Sequence, residues 1–275
     1  MGFQNNFGHR QKIGFAEISG PPAPVYGPYT IAFSAVVVSR GGVVTNAEKT
    51  RLTTFETSLG TDILEFDRLW IHALSNSIAA RTSFVNPLTT LITEVNSPAF
   101  TPLLGYTGNG TTSYLNTNFN PATQGVKYTL NSASAFTYIQ QDIVSTGAAF
   151  GAITGSDISV LLYPQFLVNT PIYYINNVGT DSYGAANSKG LSSFIRINST
   201  NIGYYKSGIL NATNVKNSSL IPSTNIYICG RSTAGTLTNG YTGTISATGL
   251  GSNAWNQLNF YNALQALATS LGWNV

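Results

Sequence analysis

Acidic side chains run out at Asp181, and from Ser182 to Val275 the chain carries Lys189, Arg196, Lys206, Lys216 and Arg231 but no Asp or Glu. Hydrolysis of sugars or phosphates, divalent-cation binding and most general acid/base chemistry need carboxylates that converge on one place. Beyond Glu94 only Asp142, Asp157 and Asp181 remain. No catalytic residue, metal site or cofactor is expected on this count. Charge of either sign is scarce, at 8% of residues, against roughly a quarter in an ordinary soluble domain. The surface must therefore be built mainly from Asn, Thr, Ser, Gly and Tyr, which suits lasting contact with neighbours.

The net charge of +3 comes from basic residues scattered singly, without the cluster that would neutralise a run of phosphates, so nucleic acid is not an expected partner. Cys229 is the one cysteine; no intrachain disulfide can form, and its setting in Asn225-Ile226-Tyr227-Ile228-Cys229 reads as a small apolar filler of a strand. Long hydrophobic runs are missing too. Ile31 to Val38 is too short to span a bilayer, and MGFQNNFGHRQKIG lacks a secretory apolar core, so no membrane insertion and assembly in a cytoplasm are expected. Met1-Gly2 has Asn6 where an acylation signal needs Ser or Thr. The Asn-x-Ser/Thr triplets at Asn109, Asn198, Asn211 and Asn217 read as products of composition.

The chain contains 275 residues, 43% of them hydrophobic and 12% aromatic, enough to bury a large core. Residues 1–30 read as an extended arm: Gly20-Pro21-Pro22-Ala23-Pro24 and Gly27-Pro28 oppose a helix and a central strand. Phe3, Phe7 and Phe15 are its candidate anchors to a partner. Ile31–Val38 reads as a buried strand closed by Gly41-Gly42. Thr45-Asn46-Ala47-Glu48 has the form of a capping box, followed by Leu52, Phe55 and Leu59 on one face and Gly60 as terminator. With a helical turn over Asp62–Asp67, this small insertion holds Glu48, Glu56, Asp62, Glu65 and Asp67, which read as a solvated face.

From Leu69 to Thr248, β-branched and aromatic residues alternate with Ser, Thr and Asn between glycine turns. Strands are expected over Leu69–Leu74, Ile78–Phe84, Ser113–Thr117, Ser134–Gln140, Ala148–Ile153, Ile158–Tyr163, Ile172–Asn176, Leu191–Asn198, Ile202–Lys206, Ile226–Arg231 and Gly243–Thr248. So many strands at this spacing imply a mainly β, two-layer sandwich. Tight hairpins are expected at Ser207-Gly208 and Asn239-Gly240. Ser252 reads as the N-cap of a closing helix whose inner face carries Trp255, Leu258, Tyr261, Leu264, Leu267 and Leu271.

The block Asn96-Ser97-Pro98-Ala99-Phe100, with Gly105-Tyr106-Thr107-Gly108-Asn109-Gly110-Thr111-Thr112-Ser113-Tyr114-Leu115-Asn116-Thr117-Asn118-Phe119-Asn120-Pro121, resembles a segment of virion proteins from phages of Bacteroidetes, including crAss-like phages. There an NSP-x-F … G-x-G-[ST]-S-Y-[IL]-[DN]-T … NP core lies inside a concanavalin A-like or laminin-G-like sandwich. The similarity extends through Tyr128–Ser134, the Tyr205–Leu210 hairpin, which is similar to the LYxNG hairpin of laminin-G-like domains, and the strand and helix after Gly249-Leu250. Phe66–Leu74 also resembles that family, so the likeness runs from about Val43 to Val275. It implies a concanavalin A-like (jelly-roll) β-sandwich over residues 92–275, preceded by residues 31–91, a strand and short helices packing on it. It further implies a structural component located in the virion: a head fibre, a decoration protein or a tail-associated protein. Other virion proteins and further copies of itself, as a dimer or trimer, would be its partners. Such domains also bind glycans, sometimes through calcium; a lectin-like module for host-surface polysaccharide is therefore the alternative. No Asp/Asn cluster equivalent to a lectin metal loop accompanies the resemblance, nor the E-x-[DE]-x-x-E cluster of glycosidases with that fold.

The remaining candidates are weak as chemistry. Glu65-Phe66-Asp67 with Arg68 reads as an ordinary ion pair. His72, beside Trp70, reads as a half-buried strand residue bonded to backbone; no G-x-S-x-G accompanies it or His9. Gly108-Asn109-Gly110 reads as a turn. Tyr173 and Tyr174, and Tyr204 and Tyr205, are candidate glycan or interface aromatics. Alternation in a strand allows only one ring of each pair to face outward.

Overall fold

A computed structural model describes Met1 and residues 23–155, 158–166, 170–178, 181–182 and 187–275. Phe3, Phe7 and Phe15 lie outside the described residues. The helices are α1 (Pro28–Ser39), α2 (Asn46–Leu59), α3 (Ser77–Arg81), α4 (Pro121–Gln124) and α5 (Gln257–Leu271), with a 3-10 turn over Gly60–Glu65.

α1 replaces the strand expected over Ile31–Val38. Pro28 sits at its first turn, where a missing N–H and a fixed φ favour a helix. A short apolar run does not distinguish strand from helix by periodicity, and here a distant side chain decides. The Glu56 carboxylate of α2 accepts from the amides of Tyr29 (3.0 Å) and Thr30 (2.9 Å) and from the Thr30 hydroxyl (3.0 Å), closing the open amides of the first turn. α2 begins as expected: the Thr45 hydroxyl accepts from the Glu48 amide at 3.1 Å, and Glu48 accepts from the Thr45 amide at 2.9 Å.

Two further expectations change. Ile78–Phe84 is not a strand: Asn76 Oδ1 accepts from the amides of Ile78 (3.0 Å) and Ala79 (3.2 Å) and starts α3. α5 is capped by Asn256, whose Oδ1 accepts from the Asn259 amide at 2.9 Å, rather than by Ser252. Its inner face is Phe260, Ala263, Leu264, Leu267, Ala268 and Leu271. Leu258 is 51% exposed, and Trp255 precedes the helix, buried with its Nε1 donating to Ser134 Oγ.

Two sheets make the sandwich, as expected. The first contains β1 (Phe66–Ile71), β3 (Ala99–Thr101), β4 (Gly105–Thr107), β6 (Ala133–Ile139), β11 (Gly190–Arg196), β12 (Asn201–Lys206), β13 (Ile209–Val215) and β17 (Thr244–Gly251). The second contains β2 (Thr93–Val95), β5 (Tyr114–Asn116), β7 (Phe150–Thr154), β8 (Ile158–Phe166), β9 (Thr170–Asn177), β10 (Asp181–Ser182), β14 (Tyr227–Ile228), β15 (Arg231–Thr233) and β16 (Thr236–Thr238). Pairing is antiparallel except between β15 and β7. β17 is the axis of the first sheet: β6 pairs with one edge, while β4 and β1 share the other. Gly105 makes that crowding possible. At φ +120° it lies so close to β17 that a Cβ would stand 2.1 Å from the Ile245 carbonyl oxygen.

Ser207 and Gly208, both at positive φ, turn the expected β12–β13 hairpin. The second hairpin turns at Ala234-Gly235, also at positive φ, between β15 and β16; Asn239-Gly240 follows β16 instead.

Strand alternation sorts the apolar side chains into three sets. Trp70, Tyr106, Ala135, Ile139, Phe194, Tyr204 and Ile245 of the first sheet meet Leu115, Phe150, Val160, Leu162, Tyr173 and Ile175 of the second. Leu69, Ile71, Phe136, Tyr138 and Ala247 face the other way, against Phe33, Val37, Leu52, Phe55, Phe260 and Leu264 of the helices. A smaller set, Ile153, Leu161 and Tyr163, lies on the outer face of the second sheet. No helix among the described residues is long and apolar enough to cross a membrane.

Candidate functional site

Helices cover the outer face of the first sheet, so the second sheet presents the sandwich's other broad face. There the alternation that sends Leu162, Tyr173 and Ile175 inward turns Leu161, Tyr163, Ile172 and Tyr174 outward. Phe166, Ile172 and Tyr174 are half-buried beside the covered Leu161 and Tyr163, and the rings of Tyr163 and Phe166 lie 5.3 Å apart. Arg231 of β15 reaches this group. Its Nη1 donates to the Tyr163 hydroxyl at 2.7 Å and its Nε to Thr238 Oγ1 at 2.9 Å. At the other end of the β15–β16 hairpin, the Tyr227 hydroxyl donates to the Gly235 carbonyl at 2.6 Å. The Tyr227 ring lies 4.3 Å from that of the half-buried Tyr114. Burial, and then Tyr227, push the Tyr114 hydroxyl up to about 12. The result is a surface of rings edged by hydroxyls, with a guanidinium that has no carboxylate contact among the described residues.

The four candidate tyrosines divide as alternation requires. Tyr173 and Tyr204 point inward and stack on each other at 5.1 Å, both essentially unexposed; they are core, not glycan or interface rings. Burial raises the Tyr204 hydroxyl to about 12. Tyr174 faces outward on the second sheet. Tyr205 is half-buried on the helical side of the first sheet, on the face of β12 that carries Gly203. Arg231, Tyr163, Phe166, Ile172, Tyr114 and Tyr227 were not singled out from sequence. Their signal was the same alternation, and nothing in the sequence indicates which face helices cover.

The carboxylates are not a solvated face. Glu48, Glu56 and Asp67 are each less than a tenth exposed. Asp67 accepts from the consecutive amides of Val126, Lys127 and Tyr128 at 2.7 to 3.1 Å, and Glu48 also accepts from the Ser75 amide at 2.8 Å. Asp62 accepts from Asn259 Nδ2 at 2.8 Å, Glu65 from the Ser252 hydroxyl at 2.5 Å, and Asp142 from the Ser188 amide at 2.9 Å. Glu94 accepts from the Tyr106 hydroxyl at 2.5 Å and pairs with Arg81 at 3.2 Å. Arg68 forms no contact ion pair with Glu65 or Asp67; its guanidinium donates to the Asp67 carbonyl and lies 4.7 Å from the Phe119 ring centre. Among the described residues, no three His, Cys, Asp or Glu side chains group as metal ligands.

His72 is fully buried just after β1, not half-buried. Nδ1 lies 2.8 Å from the Ala80 carbonyl, which can only accept, so Nε2 is the acceptor for Thr248 Oγ1, also at 2.8 Å. Burial lowers its pKa to about 4. Lys206 Nζ donates to the Lys189 carbonyl at 2.6 Å and to Ser192 Oγ at 3.2 Å. Burial pulls the amine down to about 8, against a pull upward from Asp142. Ser192 is wholly buried, so this serine–lysine pair offers no route for a substrate. Cys229 is equally buried and its thiol is pushed up to about 12, in keeping with a filler. Asn109 Oδ1 accepts from the amides of Thr111, Thr112 and Ser113, and Asn198 Oδ1 from those of Thr200 and Asn201. These two Asn-x-Thr triplets are thus self-bonded turns.

No known protein family matches the chain, and no curated protein matches it by sequence. Solved structures do match its fold. The botulinum neurotoxin serotype D binding domain superposes with a TM-score of 0.51 at 8% identity, over 75% of this chain and 53% of that one. The receptor binding domain of the botulinum neurotoxin C/D mosaic serotype gives 0.51 at 8% identity, over 73% and 51%. This chain spans about half the length of those structures, and the likeness is one of fold: a β-sandwich of two antiparallel sheets.

Proposed function

We propose that the chain is a non-enzymatic, lectin-like module that binds carbohydrate on the outer face of its second sheet. The observation that carries this reading is the surface around Tyr174, Phe166 and Ile172, which sets half-buried rings beside Arg231, Thr238 and the Tyr163 hydroxyl. Aromatic rings accept the C–H faces of a sugar, and the guanidinium and hydroxyls supply hydrogen bonds that fix its orientation. The carboxylates whose side chains are described support the non-enzymatic reading, since each accepts hydrogen bonds within the fold. The binding and receptor-binding roles in the names of the two matching structures support a recognition role, and the resemblance to phage virion proteins supplies its setting on a particle surface.

The test is a glycan array followed by titration of the best ligand. Binding should be saturable and unchanged by EDTA. Tyr174→Ala and Arg231→Ala should each weaken it at least about tenfold, the loss of roughly 1.4 kcal/mol, while leaving the melting temperature in place. Tyr204→Ala should instead unfold the protein. If no glycan binds saturably, or if both outward substitutions leave affinity intact, the assignment to this face is wrong.

A further inference from the structure

α1 is an unusual surface helix. Pro28–Ser39 contains no charged residue, and its outward side is apolar except for Ser39 at its end, whereas a surface helix normally turns a polar stripe to water. Successive residues turn by about 100°, which places Thr30, Phe33, Ser34 and Val37 on the buried side and Ile31, Ala35, Val38, Pro28 and Ala32 along one outward arc. Ile31 is 54% and Val38 60% exposed. Beside the arc runs a groove of about 650 Å³ between Pro28, Ala32, Ala35 and Val36 on the helix and Pro87 and Leu88 on the loop between α3 and β2. Leu88 stands at its rim, 86% exposed.

We infer that this face is the interface of a two-fold dimer of the chain. The patch is self-complementary: each copy offers a projecting Leu88 and a groove floored by alanines, the reciprocal pair that an isologous contact requires. It is also free of charge that would repel an identical surface. Arg40, at the end of α1, is engaged: it donates to the Thr89 carbonyl at 2.6 Å and to Thr82 Oγ1 at 3.2 Å. With the exposures given, the outward apolar side chains present on the order of 500 Å² per copy, more than scattered surface residues account for. Two copies would then bury roughly 1,000 Å², the lower bound for a specific interface. This inference is independent of the carbohydrate reading, whose face lies on the other side of the sandwich.

The experiment is light scattering on the full chain at roughly 100 µM, well above the dissociation constant of a specific dimer. The wild type should have the mass of two copies. Ala35→Glu and Leu88→Glu should each halve it with the unfolding midpoint retained. Should Ala35→Glu fail to fold, Ala35→Cys decides: mild oxidation should yield a covalent dimer, whereas Val215→Cys, at a position 78% exposed, should not. Cys229 is buried and does not interfere. A monomeric wild type overturns the inference, whether the groove is then filled by the chain's own amino-terminal segment or by a different protein. So does a dimer that survives both glutamate substitutions, or an Ala35→Cys protein that does not crosslink.

Discussion

Acidification should unfasten this protein at one identifiable histidine. His72 joins the end of α3 to β17 through Ala80 and Thr248, and it does so as a neutral ring, because Nε2 must accept. A proton on Nε2 would force the Thr248 hydroxyl to turn from donor to acceptor and place an uncompensated charge in the core. The folded-state pKa of about 4 lies below the ordinary 6.5, so as pH falls the unfolded chain takes up the proton first. Stability from this group is complete above about pH 6.5, declines through the interval and levels off below about 4. The shift corresponds to about 2 kcal/mol lost at pH 5 and about 3 kcal/mol by pH 3, a large fraction of a typical folding free energy. Urea denaturation of wild type and His72→Gln at pH 7, 6, 5 and 4.5 isolates the effect, since the difference between them cancels titrating carboxylates. The wild-type advantage should shrink by about 2 kcal/mol between pH 7 and pH 5. A difference that stays constant across that range would refute the reasoning, as would a His72 ring signal titrating near pH 6.5 in NMR.

Two further substitutions probe the joints between layers. Glu56→Gln should cost about 2 kcal/mol in urea denaturation, because both carboxylate oxygens accept from the start of α1 and an amide retains only one acceptor; a loss below about 0.5 kcal/mol would show that α1 does not depend on it. Gly105→Ala should cost at least about 3 kcal/mol, whereas Gly272→Ala, in the left-handed region and with open space around it, should cost only about 1 kcal/mol; equal losses in thermal melts would refute the close approach to β17.

Much of the sandwich was legible because its signals are local. Residues 133–139, 158–166 and 190–196 alternate or run apolar between turns, and β6, β8 and β11 lie there. The capping box at Thr45 needs only four neighbouring residues, and α2 starts where it predicts. Ile31–Val38 was misread because its conformation is set from far away: it is as compatible with a strand as with a helix until Glu56 supplies the missing acceptors. Ile78–Phe84 was misread although its signal is local, the Asn76 cap two residues upstream. Arg196 shows the same limit for charge. Nothing in its strand marks it as interior, yet it is wholly buried, its Nε and Nη2 donating to the Ile175 carbonyl at 3.0 and 2.6 Å.

For function the division is similar. Scarcity of carboxylates is a property of composition, and it favours surfaces over chemistry. Alternation determined that one tyrosine of each pair must face inward. Which one did so, and which sheet face was left uncovered, depended on where α1, α2 and α5 docked. That docking rests on long-range contacts, Glu56 with α1, Asp62 with α5 and the apolar set of Phe55 and Phe260 against Phe136, between residues that no local pattern brings together. Periodicity and turn chemistry act over a few residues and so can be read along the chain; the choice of a covered face is made by whole layers competing for the same apolar surface.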